Sequence, residues 1–151
     1  MAIPGREERL LLEVEHPSGL GAALERAGEL GCSPVLLIGE RAALLNCENS
    51  LRAANALSWV PGVLVSGYGE FVGPGDFAAL SRELARRISY FLGDGDRFWV
   101  EVVGEGSVEF GDYLVGEIVS ASNASPDPER PGRLFTVFLV GGGAFLAHGY
   151  R

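Results

Sequence analysis

Hydrophobic positions along the chain change period several times, and the order of those changes predicts a mixed α+β protein. Leu10-Leu11-Leu12-Glu13-Val14-Glu15 reads as a strand, with alternation developing at its end. His16-Pro17-Ser18-Gly19 is a turn, with Ser18 placed to cap a helix. That helix carries Leu20, Ala23, Leu24, Ala27 and Leu30 on one face and stops at Gly31. Pro34 to Ile38 and Ala42 to Leu45 read as strands joined by a two-residue turn at Gly39-Glu40. Asn49 or Ser50 caps a short helix with Leu51, Ala54 and Leu57 inward. Trp59-Val60-Pro61-Gly62 breaks it before a fourth strand, Val63 to Tyr68.

Gly73-Pro74-Gly75 is the clearest boundary. Asp76 then caps a long helix with Phe77, Leu80, Leu84, Ile88 and Phe91 at helical spacing. Arg97 to Val103 is a strand, Gly104 to Gly111 a loop, and Asp112 to Ala121 a helix. The segment from Ser122 to Gly132 carries prolines at 126, 128 and 131 and reads as a long, mobile connection. Strands at Leu134 to Val140 and Ala144 to Gly149 flank Gly141-Gly142-Gly143. We therefore expect an α+β chain of two lobes. Residues 1–72 have the ferredoxin-like βαββαβ order, with a four-stranded antiparallel sheet and two helices. Residues 73–151 form a second lobe in the order αβαββ.

Charge narrows the choice of partner. All 12 basic residues are Arg, Lys is absent, and 20 acids bring the net charge to −8. A field of that sign repels phosphate backbones over the molecule as a whole, so contact with nucleic acid has to come from a few local Arg. With 47 % hydrophobic residues the chain can bury a core unaided. No apolar run is long enough for a membrane span, and the start reaches charges at once without a signal-peptide core. These features make a cytoplasmic protein the expectation.

Catalytic chemistry is hard to place. No Ser or Cys nucleophile has a plausible His base in its own neighbourhood. The glycine-rich stretches Gly93 to Asp96 and Gly104 to Ser107 lack the Lys and Ser/Thr of a phosphate loop and carry acids instead. Asp94 with Asp96, and Asp127 with Glu129, read as solvated turn residues rather than cation ligands. His16 and His148 read as surface or strand residues, and no metal or cofactor is expected. With the two-residue turn, Ile38 pairs with Arg41. Counting back six sets Cys32 opposite Cys47, within disulfide reach, whether or not a bond forms.

Several stretches resemble the ferredoxin-like plus THUMP module of tRNA-modifying enzymes such as 4-thiouridine synthetases. Trp59-Val60-Pro61-Gly62-Val63 resembles the turn that closes that family's first lobe. Phe98-Trp99-Val100-Glu101-Val102 is similar to its first THUMP strand, and Tyr113-Leu114-Val115-Gly116 to the helix that follows. Pro131 to Val140 with Ala144-Phe145-Leu146-Ala147 resembles its final hairpin. The resemblance implies RNA binding, tRNA by preference, in service of a separate modification enzyme. Since no catalytic unit follows before Arg151, the expectation is a stand-alone, non-catalytic adaptor.

Where that family commonly has basic residues, this chain has Glu101, Val103 and Glu105. The remaining candidates for RNA contact are Arg82, Arg86 and Arg87 on the long helix, with Arg97, Arg130, Arg133 and Arg151. Trp99 or Tyr113 would stack on bases if exposed. The rival expectations are a protein-interaction module of the same fold that has lost RNA binding, and a small hydrolase on a ferredoxin-like scaffold. Arg that are ion-paired with acids, such as Glu83 with Arg87 at helical spacing, favour the interaction module.

Overall fold

The computed structural model describes residues 8–150. Hydrogen bonding joins eight strands in the order β2-β3-β1-β4-β8-β7-β5-β6. The chain divides into two compact units, Met1–Glu70 with Ala147–Arg151, and Phe71–Leu146.

In the first unit, β1 (Arg9–Val14) is central, with β3 (Ala42–Cys47) and β4 (Val63–Val72) antiparallel on its two sides. β2 (Cys32–Ile38) lies antiparallel outside β3, giving the ferredoxin-like arrangement expected for this lobe. A single 3-10 turn, Pro17–Gly19, leads into α1 (Leu20–Glu29), and α2 is Ser50–Leu57. Leu10, Leu12 and Leu45 pack beneath Ala23 and Ala27 of α1 and Ala53, Ala54 and Leu57 of α2. The small residues of both helices let them lie close to the sheet, where burial contributes about 25 cal/mol per Å² of apolar surface.

Local expectations are corrected at three points. Ser18 caps nothing, because the 3-10 turn runs straight into α1 with Gly19 at its N-cap. Leu51 points outward, and Ala53 takes the inward position beside Ala54. The sheet also gains a strand beyond the four expected, because β4 is ten residues long and β8 (Gly143–Tyr150) lies beside it. At that seam Glu70 is buried and hydrogen-bonded to His148 at 2.9 Å.

In the second unit, α3 (Phe77–Ser89) starts as its sequence indicates, with Asp76 accepting from the Ala79 N–H at 2.8 Å. β5 (Arg97–Val103) lies parallel to β7 (Arg133–Val140), and β7 turns into β8 through Gly141 and Gly142. Both glycines have positive φ, +56° and +78°, which suits a tight hairpin turn. α4 runs from Ser107 to Ala121 and starts before the expected Asp112. Gly106 explains the early start: it holds φ +81° at the N-cap, and a Cβ there would lie 2.9 Å from the Phe77 ring. Leu80, Leu84 and Ile88 of α3 meet Phe110, Leu114 and Ile118 of α4 over Phe98, Val100 and Val137.

Candidate RNA-binding surface

The proline-punctuated segment after α4 is tied down rather than loose. Ser125 N–H donates to Asp96 C=O, Asp127 N–H to Phe98 C=O, and Gly132 N–H to Arg97 C=O, at 2.8, 2.8 and 2.9 Å. The first two bonds lay a two-residue strand, β6 (Ser125–Pro126), parallel to the start of β5. Asp127 organises the rest. One oxygen accepts from the Glu129 and Arg130 N–H groups, and the other lies 3.5 Å from the Arg97 guanidinium.

This scaffold gathers Arg97, Arg130 and Arg133 at one end of the parallel β5–β7 pair, where Phe98 and Arg133 are register partners. All three are exposed. Arg97 is tied to Asp127, whereas Arg130 and Arg133 have no carboxylate within ion-pair distance among the described residues. Unclaimed guanidinium groups of this kind suit bidentate contact with phosphate oxygens.

The α3 arginines are arranged differently. Arg86 and Arg87 both bind the carboxylate of Glu83, Arg86 through two nitrogens at 2.5 and 3.2 Å and Arg87 at 2.9 Å. The Arg86 hydrogen bonds, reinforced by those of Arg87 and by both positive charges, hold Glu83 well below the usual carboxylate range, at about 2, against the opposing effect of burial. Arg82 is exposed and turns its Nε back on the Ala78 carbonyl at 3.3 Å. Arg151 lies outside the described residues.

Tyr113 stands exposed on α4, while Trp99 is half-buried. The largest exposed aromatic is Trp59, 82 % accessible just after α2, which the sequence presented only as part of a turn. The acids near Gly93 and Gly95 are engaged in hydrogen bonds: Asp96 accepts from the Gly93 N–H and Asp94 from the Asn123 amide. Among the described residues no three metal-ligating side chains converge, and no helix is long and apolar enough to cross a membrane.

No protein-family model and no curated protein sequence matches this chain. Solved structures do. PH1313 from Pyrococcus horikoshii Ot3 superposes with a TM-score of 0.62 at 13 % identity, over 95 % of this chain and 54 % of that one. The fold is THUMP-like. A 4-thiouridine synthetase solved in complex with RNA and bound ATP superposes at 0.55 and 16 % identity, over 95 % of this chain and 42 % of that one. TrmN from Thermus thermophilus also gives 0.55, at 18 % identity, over 92 % of this chain and 44 % of that one. The chain thus spans about half the length of these structures, and the likeness is one of fold.

Proposed function

We propose that this protein binds RNA, specifically tRNA, without catalysing a reaction itself, and presents it to a separate modification enzyme. The observation that carries the proposal is the placement of Arg97, Arg130 and Arg133 at one end of the β5–β7 pair, with two guanidinium groups free of acids in an otherwise acidic chain. A fold shared with a synthetase solved on RNA supports it. Arg82 and the exposed ring of Tyr113 supply further phosphate and stacking contacts. The work belongs in the cytoplasm and needs no cofactor of its own.

Titration of purified protein with tRNA at several salt concentrations tests the proposal. A few Arg contacts give a shallow log–log salt slope, on the order of −2 to −4, because each phosphate neutralised on a duplex contributes roughly −0.9. Replacing Arg130 and Arg133 together by Ala should flatten that slope by about 1 to 2 and leave the fold intact. Replacing Arg86 and Arg87, whose charge Glu83 already holds, should change it less. An unchanged slope in the first variant removes the cluster from the interface.

A second function has its own support. Glu83 neutralises two of the three α3 arginines, the pattern of a solvated helix face rather than a phosphate track. A protein-interaction module of the same fold therefore takes precedence if tRNA does not bind at low salt, with or without a partner protein.

A further inference from the structure

Exposed strand edges are usually blunted against unwanted pairing. β2 is: Pro34 lacks an N–H, and the register shift between Pro34 and Leu36 leaves Val35 as a bulge. β5 is not. β6 covers it only at Arg97 and Phe98, and beyond Phe98 no described strand lies on that side. Backbone N–H and C=O groups leave a strand on alternate sides from residue to residue. Phe98 turns its carbonyl toward β6, where Asp127 donates to it, so Val100 and Val102 present theirs along the same, open edge.

Beside that edge lies a groove between β5 and α4, about 370 Å³ in volume, lined by Trp99, Val100, Val102, Val108, Asp112 and Val115. Val108 is 80 % exposed, and Val119 extends the same stripe of α4 toward its C-terminus. Val100 belongs to the core and Val102 and Val115 pack against it, but Val108 and Val119 lie outside the face on which α4 buries Phe110, Leu114 and Ile118. From Phe98 to Ala121 the chain holds five acids and no basic residue. That charge opposes a phosphate backbone in the groove, whose lining does not include Tyr113, and it opposes a second copy of a chain with net charge −8.

We propose that the open edge of β5 and the adjoining α4 groove dock an extended segment of a partner protein, in which apolar residues alternate with Arg or Lys. The segment adds a strand beside β5, its backbone bonding to Val100 and Val102. Alternate side chains enter the groove between its valines and Asp112, and the others meet Glu101, which alternates with Val100 and Val102 on the opposite face of β5. This names the partner's chemistry and rests on the adaptor proposal only for what the partner does with the RNA.

A synthetic heptapeptide of alternating arginine and valine tests it by calorimetric titration, beside two controls. One has the same composition with its valines in a block, and the other is N-methylated at alternate residues. Both controls should bind at least about tenfold more weakly, since one loses the alternation and the other the edge hydrogen bonds. The variant V108S/D112N, altered at exposed positions, should weaken the alternating peptide about fivefold and leave tRNA binding no weaker. Equal binding of all three peptides, or binding of none, overturns the proposal. So does a variant that loses tRNA instead of peptide, which would assign the groove to RNA. Peptide binding without tRNA binding upholds the docking and ends the RNA proposal; the reverse ends the docking alone.

Discussion

Glu83 lies one helical turn from both Arg86 and Arg87 and is shared between them, which makes it the most heavily engaged surface carboxylate among the described ion pairs. Its folded pKa of about 2 lies below the ordinary value of 4.5, so the network adds stability above the unfolded value. That contribution falls away as pH drops from about 4.5 toward 2. Because Arg86 is largely exposed, solvent screens the pair and the effect stays below about 1 kcal/mol. Urea unfolding of E83Q should show a small loss at neutral pH and no difference from the parent at the acid end of that window. The same substitution removes the negative charge beside Arg86 and Arg87 and should steepen the tRNA salt slope. If the slope stays as it was, α3 does not face RNA. The Glu83–Arg87 spacing was legible in the sequence, as was Asp76 as a cap. Glu70 with His148 was not, because that hydrogen bond forms between strands 78 positions apart and no local pattern announces it.

The β2–β3 hairpin shows how a correct pairing can follow from two errors that cancel. A two-residue turn would set Ile38 opposite Arg41, but the structure sets it opposite Ala42, one position later. The bulge at Val35 absorbs the difference, and Cys32 meets Cys47 as a disulfide with a Cα–Cα distance of 4.0 Å. The bond closes a loop of 15 positions, for which chain entropy gives about 3 kcal/mol. Without reductant, alkylation followed by mass measurement should find no free thiol, and reduction should lower the unfolding free energy by about that amount. Deleting Val35 removes the bulge while keeping both flanking registers, so the variant should still form the bond; two free thiols in it would reject the compensation. Elements rooted in periodicity, such as α3 and β5, were legible for the same reason that they pack: one face meets one core. α4 began earlier than expected because Gly106 sets its start through backbone conformation rather than polarity. β6 was missed because two residues, one of them a proline, carry no period at all.

At the scale of the molecule, the decisive quantity is the conflict between a net charge of −8 and a fold shared with part of a synthetase solved in complex with RNA. A basic protein binds any polyanion, and its affinity reports charge density more than shape. Here the long-range field is repulsive, so the RNA binding we propose requires contacts made after approach, at Arg97, Arg130 and Arg133 and the exposed aromatic ring. Such contacts depend on geometry: A-form helices and unpaired ends offer 2′-hydroxyls and splayed bases that B-form DNA lacks. We therefore expect generic duplex DNA, at about tenfold mass excess, to leave a preformed tRNA complex intact. Single-stranded RNA of matched length should compete partially through its bases and phosphates. Filter binding with labelled tRNA and unlabelled competitors measures both. Displacement by duplex DNA as efficient as by tRNA would mean that the arginine cluster is a patch of charge without selectivity. It would also leave the acidic groove beside β5 as the stronger candidate for what this protein recognises.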